Sequence, residues 1–133
     1  MKFFIIAFTA LFISSQAQAQ MSDEEQFAKV QDIAKTERRH MWRNGYQGVD
    51  SSVEKMTKAR LDEILLDNST FETPLSQVEM SSLYRCFHST ACSLFLIDVV
   101  GSMYGGDGNH FLWILLNPET GKYRFIRHSV YEE

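Results

Sequence analysis

The chain is short of several things, and each shortage removes a class of function. Basic residues are outnumbered, 13 Lys and Arg against 17 Asp and Glu, for a net charge of −4. A nucleic-acid binder needs a positive footprint to neutralise phosphates, so that class is set aside. Long apolar runs are missing too: the greasiest stretch, Phe3 to Ile13, is roughly 11 residues against the ~20 that a bilayer-spanning helix requires. The four histidines, His40, His88, His110 and His128, show no His-x-x-x-His pair or other zinc spacing. No Gly-Lys-Ser/Thr follows the glycine-rich stretch, which excludes a phosphate loop, and Asp107 with Asn109 supplies too few oxygens for calcium. No metal and no cofactor are expected. The sequence has no internal repeat and no low-complexity tract, which argues against a solenoid or a linker.

What is present begins with a leader. Lys2, the apolar run and the small residues around Ala17-Gln18-Ala19 make a secretory signal peptide of residues 1–19, with a mature start at Gln20. No cysteine follows the cleavage point, so a lipid anchor of the bacterial lipoprotein kind is not expected. Residues 20–133 then form a single exported domain of about 114 residues, large enough to bury about two-thirds of its unfolded surface. The expected location is the periplasm or the medium. In that oxidising compartment the two cysteines, Cys86 and Cys92, are expected to pair as a disulfide.

Helical signals dominate the first half. Ser22 with Glu25 three residues on forms a capping box, and Phe27, Val30, Ala34 and Met41 recur at helical spacing up to Asn44-Gly45, where glycine can close the helix. A second start is read at Ser51 with Glu54, its apolar face running through Val53, Met56, Leu61, Ile64 and Leu65. Thr73-Pro74 signals a third start, and Leu75 to Phe87 scores as helix, with a strand from near Leu83 as the alternative. From Ser93 the period changes to two. Leu94, Leu96 and Val100 point one way and Phe95, Ile97 and Val99 the other; His110 to Leu116 repeats this with Phe111, Trp113 and Leu115 against Leu112, Ile114 and Leu116. Both are central strands. Asn117-Pro118-Glu119-Thr120-Gly121 is turn chemistry, and Lys122 to His128 is a third strand expected to turn Tyr123 and Phe125 to the core and Lys122, Arg124 and His128 to water. The predicted class is α+β: two or three N-terminal helices on an antiparallel meander of three to four strands. Strands apolar on both faces need cover on both, from helices that wrap around or from a docked chain, which makes a homodimer one expectation.

The candidate site residues cluster around two loops. Cys86 and Cys92 close Phe87-His88-Ser89-Thr90-Ala91 into a small loop that either staples the preceding element to the sheet or presents Phe87 and His88 to a partner at little ordering cost. The glycine-rich stretch Gly101 to Asn109 reads as a flexible hairpin connection with Met103 and Tyr104 at its tip as a contact surface. Lys35, Arg38, Arg39, His40, Trp42 and Arg43 form a basic aromatic cluster at the end of the first helix, either a solvated end suited to the helix dipole or a dock for an acidic protein or the anionic envelope.

The bridged loop with its histidine, followed by an apolar strand, resembles the small periplasmic inhibitors of lysozyme over Tyr84 to Val100. Those proteins plug the loop into the lysozyme cleft, and His88 is the residue that carries over; the five residues between the cysteines here depart from their spacing of four. Exported immunity proteins against wall-cutting toxins share the size and compartment. These features suggest a periplasmic protein-binding module, an inhibitor or immunity protein against a cell-wall hydrolase. One alternative is a structural or accessory component of an envelope secretion or conjugation assembly. The other is a small cysteine hydrolase using Cys86 or Cys92 with His110, whose strand looks like the histidine strand of transglutaminase-like and papain-like hydrolases, with Asp98 or Asn109 as orienting group.

Overall fold

The computed structural model describes residues 20–103 and 106–129, without the side chains of 103 and 106–108; the expected leader, residues 1–19, lies outside the described residues. The order of elements is α1 (Asp23–Arg43), β1 (Gln47–Lys55), α2 (Lys58–Leu66), a short 3-10 turn (Asn68–Thr70), α3 (Gln77–Phe87), β2 (Ser93–Met103), β3 (Gly106–Leu116) and β4 (Tyr123–Ser129). The strands make one antiparallel sheet in the order β1-β2-β3-β4. This is an α+β fold, and its helices cover both faces of the sheet.

The two faces follow from the alternation in β2 and β3. Leu94, Leu96, Phe111, Trp113 and Leu115 pack against Leu61, Ile64, Leu65, Leu75, Leu83 and Cys86 from α2, α3 and their connection. Phe95, Ile97, Val99, Leu112, Ile114 and Leu116 pack against Val30, Ala34 and Met41 of α1. Trp113 and Phe95 are essentially inaccessible on opposite faces. The chain satisfies the demand for cover by wrapping: α1 lies on one face, and the connection from β1 to β2 carries α2 and α3 across to the other.

The helix ends are capped by their own sequence. Ser22 Oγ accepts from the Glu25 amide at 3.1 Å while the Glu25 carboxylate accepts from the Ser22 amide at 2.9 Å, and Gly45 closes α1 at φ 97°. The third helix starts later than Thr73-Pro74: Ser76 and Glu79 form its capping box, and Thr73 instead reaches across to β4, its Oγ1 accepting from the Ser129 amide at 2.6 Å.

Three expectations are corrected. Ser51 does not open a helix; Gln47–Lys55 is the strand β1, with Val53 opposite Ile97 on β2, and α2 begins after Thr57, whose hydroxyl accepts from the Arg60 amide. A serine with a glutamate three residues on, before an apolar run, reads as a helix start, but Ser51 and Glu54 lie opposite Val99 and Leu96 on β2, and that pairing decides for the strand. The glycine stretch is no long loop: Gly101, Ser102 and Met103 pair with Gly108, Asp107 and Gly106, and Gly101 is closely packed, a Cβ there meeting Tyr46 and Val49 at 3.3 Å. The faces of β4 are also inverted in burial. Tyr123 and Phe125 remain 43% and 54% exposed while His128 is 3% exposed, because α1 lies over β1 and β2 and stops short of covering β4.

His128 sits among Phe71, Phe111 and Trp113, and Trp113 Nε1 donates to its Nε2 at 2.9 Å. Burial lowers its pKa from 6.5 to about 4. The folded value lies below the unfolded one, so the unfolded chain takes up the extra proton in between. The contribution is therefore complete above pH 6.5 and is lost as pH falls toward 4, by up to roughly 3 kcal/mol at about 1.4 kcal/mol per unit. Urea denaturation at pH 7 and pH 4.5 checks this: His128→Gln should lose much of the wild-type difference between the two. An unchanged difference would assign the acid sensitivity elsewhere.

Candidate binding surfaces

The bridged loop forms as a rigid corner. Cys86 and Cys92 are joined, tying the last turn of α3 to the start of β2, and Cys86 is buried. Within the loop the Ser89 amide donates to the Cys86 carbonyl at 3.1 Å and the Ala91 amide to Ser89 Oγ at 3.1 Å. Of the two residues expected to contact a partner, His88 is exposed and Phe87 is turned partly inward against the α2–α3 core. The His88 ring lies nearly parallel to Tyr84, at 6.4 Å and 16°, and Tyr84 Oη donates to Asp62 at 2.8 Å. That hydrogen bond raises the Tyr84 pKa; the Lys58 bond, followed by that of Tyr84, lowers the Asp62 pKa. His88 is thus exposed beside the surface network of Tyr84, Asp62 and Lys58. Tyr104 lies outside the described residues, as does the side chain of Met103.

The pieces proposed for a cysteine hydrolase are not assembled. Neither sulfur is free, and His110 pairs with Val99 at the far end of β2, roughly 20 Å from Cys92 at the ~3.3 Å rise of a strand. His110 instead contacts Ser129 Oγ through Nδ1 at 3.1 Å and lies edge-on to Tyr46. Burial lowers its pKa. Asp98 points to the opposite face, where burial raises its pKa, so it cannot orient His110. Among the described residues no group of His, Cys, Asp and Glu is placed to hold a metal ion, and no helix is long and apolar enough to cross a membrane.

Two grooves flank α1. The first, about 490 Å³, is lined by Lys35, Arg38, Arg39, Trp42 and Arg43 of α1 and Val49 of β1. Positions 35, 38, 39, 42 and 43 fall on one helical stripe, beside the buried stripe that carries Ala34 and Met41. Trp42 is 67% exposed. Arg38 donates to Ser51 Oγ, and among the described residues none of the four cations has a carboxylate partner, the ion pairs being made by Lys55, Lys58, Arg60 and Arg127.

The second groove, about 340 Å³, lies between α1 and β4 and is lined by Lys29, Asp32, Ile33, Thr36 and Glu37 together with Tyr123, Phe125 and Arg127. Its inner end is closed by a two-pronged ion pair in which Arg127 Nε and Nη2 donate to the two Glu37 carboxylate oxygens at 2.8 and 3.0 Å. Arg127 also sits over the Phe125 ring at 5.1 Å. The first groove was legible as a cluster of residue types at helical spacing. The second was not, because Glu37 and Arg127 are 90 residues apart.

No protein family, no curated protein and no solved structure matches the chain. The likeness to the lysozyme inhibitors therefore rests on the bridged loop alone.

Replacing both cysteines removes the closure of a short loop, a loss of about 2 kcal/mol in the chain-entropy model. Cys86→Ala with Cys92→Ala should lower the urea midpoint accordingly and leave the far-ultraviolet circular dichroism of the native state unchanged. A variant as stable as the parent would remove the bridge from the account of stability.

Proposed function

We propose that this is a protein-binding module of the cell envelope, exported by its leader, that docks an acidic surface of a partner in the basic groove beside Trp42. The carrying observation is the segregation of charge. On a chain of net −4, four cations without carboxylate partners among the described residues share one helical stripe with an exposed tryptophan. Such a stripe steers an acidic partner and fixes its orientation, and an exposed Trp bordered by Arg is the composition from which binding hot spots are drawn. The partner class we favour is a cell-wall hydrolase, with this chain as its inhibitor or immunity factor. The expected export, the small size and the rigid bridged corner support that reading. A second reading is a structural or accessory component of an envelope secretion or conjugation assembly, and the identity of the partner held by the groove separates the two.

The test is capture from periplasmic extract by the immobilised chain, followed by affinity measurement with the identified partner. Trp42→Ala should cost about 2 kcal/mol, roughly thirtyfold, and Arg39→Glu with Arg43→Glu about tenfold or more, with association slowing as salt is raised. If no partner is recovered and lysozyme and amidase rates are indifferent to the chain, the inhibitor reading is withdrawn. A partner whose affinity is unmoved by these substitutions would place the contact elsewhere.

A further inference from the structure

The two edges of the sheet are finished differently. β1 is interrupted by a register shift between Gln47 and Asp50, the kind of irregularity that keeps an edge from templating another strand. β4 pairs with β3 in unbroken register from Tyr123 to Ser129. Among the described residues its outer side is engaged only at Ser129, whose amide donates to Thr73 Oγ1 and whose carbonyl accepts from the Thr73 amide.

That contact fixes the direction of every backbone group on β4. Both Ser129 groups point outward, and strand geometry alternates with a period of two, so the N–H and C=O of Arg127, Phe125 and Tyr123 also point outward. Thr73 blocks one end, and the turn from Asn117 to Lys122, closed by the Asn117 amide on the Lys122 carbonyl, bounds the other. Among the described residues the open edge is therefore Tyr123 to Arg127, with Phe125 at its midpoint.

We infer that a second copy of this chain docks on this edge, β4 against β4 in antiparallel register with Phe125 on the two-fold axis, making one continuous sheet across the pair. This goes beyond the reading of the basic groove and uses none of its residues. The register follows from the sequence of the edge. With Phe125 opposite its own copy, Tyr123 faces Arg127 of the other strand and Arg124 faces Ile126, so no two cations stand directly opposite. Each of the pairs Phe125 with Phe125 and Tyr123 with Arg127 exchanges two N–H···O=C bonds. Centring on Arg124 sets like charges against each other, which destabilises a pair. Centring on Ile126 requires the Ser129 groups that Thr73 already holds. The charge of Arg127 is neutralised within its own subunit by Glu37, and its guanidinium already lies over an aromatic ring, the contact that Tyr123 of the other copy offers again. Pairing also covers Phe125 and Tyr123, large side chains that each fold leaves about half exposed.

Light scattering behind size exclusion on the secreted chain should give twice the chain mass, falling toward the chain mass on dilution. Phe125→Pro removes an outward N–H that the monomer does not use, a substitution tolerated on edge strands, and should give the single-chain mass. Phe125→Lys, which keeps the amide but sets like charges together, should do the same if the proline variant fails to fold. Phe125→Cys should cross-link to its copy under mild oxidation, while Tyr123→Cys, opposite Arg127, should not. A wild-type chain of single mass at every concentration overturns the inference, as does a dimer that survives both Phe125 substitutions. Equal cross-linking by the Tyr123 variant overturns the register. None of these results bears on the effect of Trp42→Ala, so the partner reading stands or falls separately.

Discussion

The structure depends on two adjacent strands that cannot face water on either side. β2 and β3 carry large apolar side chains at successive positions, from Leu94 to Ile97 and from Phe111 to Leu116, and all are buried. At about 25 cal/mol per Å² of apolar surface removed from water, leaving either face open would forfeit a large part of the stabilisation available to a domain of this size. The remaining elements are arranged to prevent that. α1 precedes the sheet and covers one face; α2 and α3 are inserted between β1 and β2 and cover the other. The bridge from Cys86 to Cys92 holds the point where the chain returns from the helices to the sheet.

On the α1 face the cover lies over β1 and β2, and β4 at the other edge bears the consequence. On the α1 face, β4 keeps Tyr123 and Phe125 half in water, and its tie to α1 is the Glu37–Arg127 ion pair rather than a packed apolar seam. Glu37 is buried, so its carboxylate depends on that partner, since removing one member of a buried pair leaves the other uncompensated. On the opposite face β4 does contribute to the core, through Ile126 and through His128, whose neutral ring takes a hydrogen bond from the indole of Trp113.

The surface divides into regions of different chemistry. Asp62, Glu63 and Glu54 are balanced locally by Lys58 and Arg60, whereas among the described residues Lys35, Arg38, Arg39 and Arg43 have no carboxylate partner and surround an exposed Trp42. The half-exposed strand β4 on one side of α1 and the basic groove on the other are the surfaces of the two proposed contacts. No residue of the bridged corner lines either groove.

Much of this was legible along the chain. Local signals named the capping box at Ser22, the closing glycine at position 45, the two double-sided strands, the turn from Asn117 to Gly121 and the paired cysteines, because each depends on residues within a few positions of one another. The basic stripe was visible for the same reason. What the chain could not declare were features settled by distant partners. Ser51 to Glu54 became a strand because β2 offered its edge, Tyr123 and Phe125 stayed exposed because α1 lies over β1 and β2, and Glu37 met Arg127 only once the fold was complete. Periodicity states which residues share a face; only the packed layers decide whether anything lies over it.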